Sequence, residues 1–331
     1  MPAARHDGAL ARLRSLALVL MALAACAPVT MPAGPAVRAP AVEGAGLVVR
    51  DGVRLPLERW RPAGPPRAVV LALHSFGDYR LGLEQAGRWL AARGIEVFAY
   101  DQRGFGGAPH FGLWAGADAL VDDLADAVAA VREAAPGAPL YLLGESMGGA
   151  VVLDLMGRPD APEVAGLLLA TPGVREGVRI RYLVDAFMWT AAHTFPAFSL
   201  TVRREREARL SDAARARFAL DPLVVREVRA DAYDGLLELS DRASAAAYRV
   251  QAPTLLLYGG ADGFVQQVSI CAAFRALRGP RLGLLHPEAP HLTLQWREAD
   301  RLLADMAAWI AGEPPPSLSG AARPLDAVCG A

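Results

Sequence analysis

The pentapeptide Gly144-Glu145-Ser146-Met147-Gly148 constrains this chain more than any other stretch. It reads G-x-S-x-G and lies between an apolar run, Pro139 to Leu143, and a stretch with a helical pattern, Met147 to Met156. A serine hydroxyl is a poor nucleophile near neutral pH and needs a base beside it and an open approach. A sharp turn from strand to helix supplies the approach by lifting the side chain off the end of a sheet. Such a turn tolerates little bulk, which accounts for a glycine two residues to either side of Ser146. The helix that follows directs its first N–H groups toward the place where an oxyanion would form. Chance is the bland explanation of so short a motif in a glycine-rich chain. The strand before it and the helix after it argue against chance.

Around this turn the pattern alternates. Ala68 to Leu73, Ile95 to Tyr100, Leu140 to Leu143, Val164 to Ala170, Thr254 to Tyr258 and Arg281 to Leu285 read as strands. Leu83 to Arg93, Asp118 to Ala134 and Asp300 to Ile310 read as helices, with Asp118 as an N-cap. Near-continuous apolar strands between helices predict an α/β fold, a mostly parallel sheet with helices on both faces. Function then belongs at the carboxyl ends of the strands. The interval 172–250 breaks the alternation with Arg179 to His193 and Glu205 to Leu220 helical, and reads as an inserted helical cap. Tyr182, Phe187, Met188 and Trp189 are candidates to line an acyl pocket beneath it, although packing cap to core is the ordinary role for any one of them. A chain of 331 residues accommodates one such domain, here 47–312.

The ends read differently. Arg5, Arg12 and Arg14 precede an apolar run, Leu16 to Ala25, too short to span a bilayer and matched to a signal segment over residues 1–25. Leu23-Ala24-Ala25-Cys26 resembles the bacterial lipoprotein signal, which implies a lipidated Cys26, export, and an anchor in the outer membrane facing the periplasm. Residues 26–46, rich in Pro, Ala and Gly, read as a tether, and 313–331 as a flexible tail. Cys271 and Cys329 are free to pair in an oxidising compartment, but sequence alone does not bring the two sulfurs together. With a formal charge of −1 and cations that are all arginine, scattered along the chain, nothing points to nucleic acid. No zinc spacing occurs, and neither a metal nor an organic cofactor is implied.

Three further motifs carry a family resemblance. They are His74-Ser75-Phe76-Gly77-Asp78, Asp101-Gln102-Arg103-Gly104-Phe105-Gly106, and the pair Gly260-Ala261-Asp262-Gly263-Phe264-Val265 and Pro290-His291-Leu292. In this order, with the serine motif, they resemble the α/β-hydrolase superfamily and within it the monoacylglycerol lipase and lysophospholipase group (S33-like hydrolases) from about Val48 to Ala311. The resemblance implies main-chain oxyanion donors at Phe76 and Met147, on a turn where Ser75 replaces the group's usual glycine. From position alone, either His286 or His291 serves as the base. The loop setting of His291 before the closing helix, and the family's position, select His291, whereas His74 braces the oxyanion turn. The order serine, acid, histidine places the acid at Asp262, after a strand and two glycines. Asp101 precedes the serine, and Glu288 has no strand end behind it. The expected chemistry is hydrolysis of a small-molecule or lipid carboxylic ester through an acyl-enzyme. Peptide or thioester hydrolysis on the same residues, and a non-catalytic, membrane-tethered binding protein, are the alternatives.

Overall fold

The computed structural model describes residues 27–176 and 181–330. The proposed signal segment and Cys26 lie outside the described residues, as do the first residues of the helix expected from Arg179. Among the described residues twelve strands are seen, in chain order β1 (Ala41–Glu43), β2 (Gly46–Val48), β3 (Arg54–Trp60), β4 (Ala68–Leu73), β5 (Ile95–Tyr100), β6 (Leu140–Glu145), β7 (Gly166–Ala170), β8 (Ser199–Thr201), β9 (Glu227–Arg229), β10 (Thr254–Gly259), β11 (Arg281–His286) and β12 (Arg323–Pro324). Ten of them form one sheet in the order β1-β2-β3-β5-β4-β6-β7-β10-β11-β12. From β5 to β11 neighbouring strands are parallel; the pairs at both edges are antiparallel.

The central strands are apolar throughout because both faces are covered. In β4, Val69, Leu71 and Leu73 enter one hydrophobic cluster, while Ala68, Val70 and Ala72 enter the cluster on the opposite face. Helices Ala117–Ala134 and Met147–Met156 supply the first cluster, and Glu84–Ala91 and Asp300–Ala311 the second. This arrangement aligns the carboxyl ends of β4, β6, β10 and β11 along one rim.

Several expectations change. Helix Ala117–Ala134 is preceded by Gly116 at φ 90°, so Asp118 is a first-turn residue rather than the N-cap. The expected helix 205–220 is a 3-10 turn, Arg204–Arg206, followed by a helix, Asp212–Leu220. Ser211 restarts it by accepting the N–H of Ala214 at 3.3 Å. The cap also contains the antiparallel pair β8–β9, which the helical pattern did not suggest.

The two ends differ most from expectation. The segment expected to be a tether lies on the domain: Val29 N–H donates to Asp231 at 3.1 Å, Met31 N–H to the Trp114 carbonyl at 2.8 Å, and Gly34 N–H to Asp51 at 2.9 Å. Its later part forms β1 and opens β2 at Gly46. The segment expected to be a tail pairs β12 with β11, buries Leu325 completely and ends in a disulfide between Cys329 and Cys271. Leu325 fills the space above Gly283, where a Cβ would come within 2.6 Å of its Cδ1. Composition missed these contacts because Asp231 and Trp114, for the first segment, and β11, for the second, are far away in sequence.

Candidate active site

The turn at Ser146 is as sharp as the glycine spacing implies. Ser146 has φ 54° and ψ −115°, a region an L-residue enters only under strain. Its N–H donates to the Ala170 carbonyl at 3.1 Å, and its carbonyl accepts from Ala150 and Gly173 at 3.1 and 2.8 Å. A Cβ on Gly144 would lie 2.5 Å from the carbonyl of Gly148, and one on Gly148 would lie 2.4 Å from the carbonyl oxygen of Leu73. Both glycines are therefore required by packing. The helix lies directly against the ends of β6 and β4, and its first residue is Met147.

Asp262 follows β10. Its Oδ1 accepts the N–H groups of Phe264 and Val265 at 2.6 and 3.0 Å, which leaves Oδ2 for His291 Nδ1 at 2.9 Å. The carboxylate is fully buried. His291 stands on the loop after β11, which is zipped to the Asp262 loop by Gly260 N–H to the His286 carbonyl (2.8 Å) and Ala261 N–H to the Ala289 carbonyl (3.1 Å). A side chain at 259 would strike the Pro290 carbonyl at 2.4 Å, so Gly259 is what lets these loops meet. The other imidazole nitrogen, Nε2, is 2.8 Å from Ser146 Oγ. With Nδ1–H donated to the carboxylate, Nε2 is the acceptor for the serine proton. The three side chains thus form one continuous hydrogen-bonded chain, with the Phe264 ring 5.1 Å from the imidazole.

The turn bearing Phe76 leaves β4, the neighbour of β6, so it stands beside Ser146. Gly77 takes the left-handed conformation at φ 72°. Ser75 has no positive φ, which explains why serine is tolerated where the family has glycine. His74 is buried in this turn: Nε2 accepts the N–H of Gln102 at 3.0 Å, so Nδ1 carries the proton and donates to the Ser75 carbonyl at 2.9 Å. Burial lowers its pKa and keeps it neutral. Neither Phe76 nor Met147 N–H has a partner in the turns and caps among the described residues.

The other candidates are elsewhere. His286 Nε2 lies 3.1 Å from Asp305, buried beneath the closing helix. Asp101 accepts from Arg80 and Gly107 and braces its own loop. Glu288 is exposed. An open depression of about 320 Å³ lined by Val69, Arg132 and Leu140 lies at the amino ends of the strands, away from Ser146.

The sequence did not reveal how Glu145 is used. Its side chain is buried and accepts Leu294 N–H at 2.8 Å and Gln295 Nε2–H at 3.2 Å, holding the segment just past His291. Desolvation drives its pKa up to about 7. Gln295 also donates to Asp78 at 2.9 Å. The only available signal was that Glu145 sits inside the serine motif, where burial is certain.

Residues 64–294, more than half of the chain, match the family described as serine aminopeptidase, S33. Human monoglyceride lipase is 33% identical over 38% of this chain and 42% of its own length. A monoacylglycerol lipase of Mycolicibacterium smegmatis is 25% identical over 78% of this chain and 93% of its own. The chain thus spans less than half of the human relative. Among solved structures, a soluble variant of monoglyceride lipase from Saccharomyces cerevisiae superposes with a TM-score of 0.68 at 18% identity, covering 86% of this chain and 98% of that one. The monoacylglycerol lipase of Paleococcus ferrophilus gives 0.61 at 22% identity, covering 78% and 98%. These likenesses show the α/β-hydrolase fold.

Proposed function

Because the chain belongs to the hydrolase family described as serine aminopeptidase, S33, we propose that it is a serine hydrolase that cleaves carboxylic esters with Ser146, His291 and Asp262. The observation that carries this reading is the unbroken hydrogen-bonded chain from Asp262 through His291 to Ser146 at a strained turn. Ser146 Oγ attacks the ester carbonyl while His291 Nε2 takes its proton. Asp262 holds the imidazolium and stabilises it without itself becoming protonated. The N–H groups of Phe76 and Met147 hold the oxyanion, each contributing about 10²–10³ in rate. His291 then protonates the leaving alcohol, and water repeats the sequence on the acyl-enzyme.

The substrate class we propose is a monoacylglycerol- or lysophospholipid-like ester. Monoglyceride lipases are among the relatives, and the cap exposes Phe187 by 70% and Phe195 by 67%, apolar surface suited to an acyl chain. The proposal extends to the amino-terminal segment: the basic head, apolar run and Ala25-Cys26 junction support lipidation of Cys26 and anchorage in the outer membrane, and Cys26→Ser should abolish incorporation of a labelled fatty acid.

The wild-type protein should react with a fluorophosphonate probe and hydrolyse esters from p-nitrophenyl butyrate to monoacylglycerols. Ser146→Ala should do neither while keeping its melting temperature. Wild-type-level turnover in that variant would overturn the assignment, and faster turnover of peptides or thioesters than of esters would overturn the substrate class.

A further inference from the structure

The turn that carries Phe76 is held from two sides. From the core, His74 Nδ1–H donates to the carbonyl of Ser75 at 2.9 Å. From the cap, Arg204 Nη2–H donates to the carbonyl of Phe76 at 2.9 Å, Val225 N–H donates to the carbonyl of Gly77 at 2.9 Å, and Arg217 forms a two-pronged pair with the Asp78 carboxylate. Three successive carbonyls therefore accept hydrogen bonds, while the N–H of Phe76 makes none among the described residues and remains for a ligand. Gly77 has no side chain partly because the Arg204 guanidinium occupies that space: a Cβ there would lie 2.7 Å from Nη2. A small apolar cluster of Tyr79, Leu210, Ala214, Phe218, Val224 and Leu292 seals the cap base against this turn and against the residue following His291.

Arg204 is unusual among the cap arginines at this base. Arg217 has a carboxylate, but no carboxylate among the described residues lies within ion-pair distance of Arg204, whose donors go to the carbonyls of Phe76 and Val225. Burial lowers its pKa, yet an arginine keeps its proton at physiological pH. A cation largely withdrawn from water and spent on two carbonyls is costly unless the bonds do something specific. A charged donor makes the stronger kind of hydrogen bond.

We propose that Arg204 is a positioning residue for the oxyanion turn, so that the base of the cap helps hold Phe76 N–H where the tetrahedral intermediate needs it. This rests on the ester-hydrolase reading above. The cap then contributes to chemistry as well as to substrate binding, even for a substrate too short to reach an acyl pocket.

The experiment uses the full chain and a short ester, p-nitrophenyl acetate, with a trifluoromethyl ketone as mimic of the tetrahedral intermediate. Arg204→Gln should lower kcat about tenfold or more with KM within about twofold, since misplacing a transition-state donor costs rate rather than ground-state binding. Affinity for the ketone should fall by the same factor. Arg204→Lys, which keeps the cation and loses the fork, should recover part of both. Arg203→Gln, at an exposed neighbouring position, should match the wild type. A fold or cap-closure defect alone would alter KM or melting temperature without this parallel loss. Wild-type kcat in Arg204→Gln, or a fall in kcat with ketone affinity retained, overturns the proposal. If Arg204→Gln does not fold, the same pair of measurements on Arg204→Lys decides, with parallel losses supporting the proposal and no loss in either overturning it. Failure of the wild type itself to react with fluorophosphonate would instead overturn the hydrolase reading.

Discussion

Ser146 is held at φ 54°, where a residue with a Cβ is strained by about 1–3 kcal/mol. Ser146→Gly should therefore be more stable than Ser146→Ala by about 1 kcal/mol, read from chemical denaturation of the two inactive variants. Glu145 supports a second prediction. Its pKa in the folded protein, about 7, lies above the ordinary 4.5, so the folded state binds the proton more tightly than the unfolded chain. This stabilisation is fully present below the unfolded value and is lost as pH rises through about 7. Relative to Glu145→Gln, the wild-type melting temperature should fall between pH 5 and pH 8; parallel curves would contradict this. At this scale the sequence was legible where a residue type is forced by backbone or chemistry, as for Ser146, Asp262 and His291. Arg204 and Arg217 were not legible, because an arginine-rich stretch in a cap reads as a solvated face until its partners 128 and 139 residues away are known.

The strand–turn–helix element works through close backbone approach. Gly148→Ala would press a methyl group to 2.4 Å from the Leu73 carbonyl oxygen, and neither backbone can yield without moving the serine. A loss of stability of about 2 kcal/mol or more is expected, together with a fall in kcat. At the far edge, the disulfide closes a loop with a sequence separation of 58 residues. Cys329→Ser should cost about 2–4 kcal/mol and free β12, and reductant should lower the melting temperature of the wild type but not of the variant. The central strands could be read from sequence because burial on both faces makes them uniformly apolar. The β12 pairing could not, since an Arg-Pro dipeptide carries no strand pattern. The same holds for the break at Ser211, where a local cap overrides a helical composition.

Across the whole molecule, the chain brings residues 146, 262 and 291 to one rim because three parallel strands end there, and the cap returns to that rim through Arg204, Arg217 and Val225. The amino-terminal strip crosses the same side: it bonds to Trp114, whose ring lies 6.4 Å from that of Phe76, and to Asp231 in the cap helix Ala230–Ala246. With Cys26 acylated as proposed, only Ala27 and Pro28 separate the lipidated residue from Val29, which is already fixed to the domain. On that proposal, at about 3.6 Å per residue the leash reaches about 11 Å, which would keep Val29 close to the lipid headgroups. A twenty-residue Gly/Ser spacer inserted after Pro28 should slow hydrolysis of esters resident in the same membrane while leaving turnover of a soluble ester unchanged.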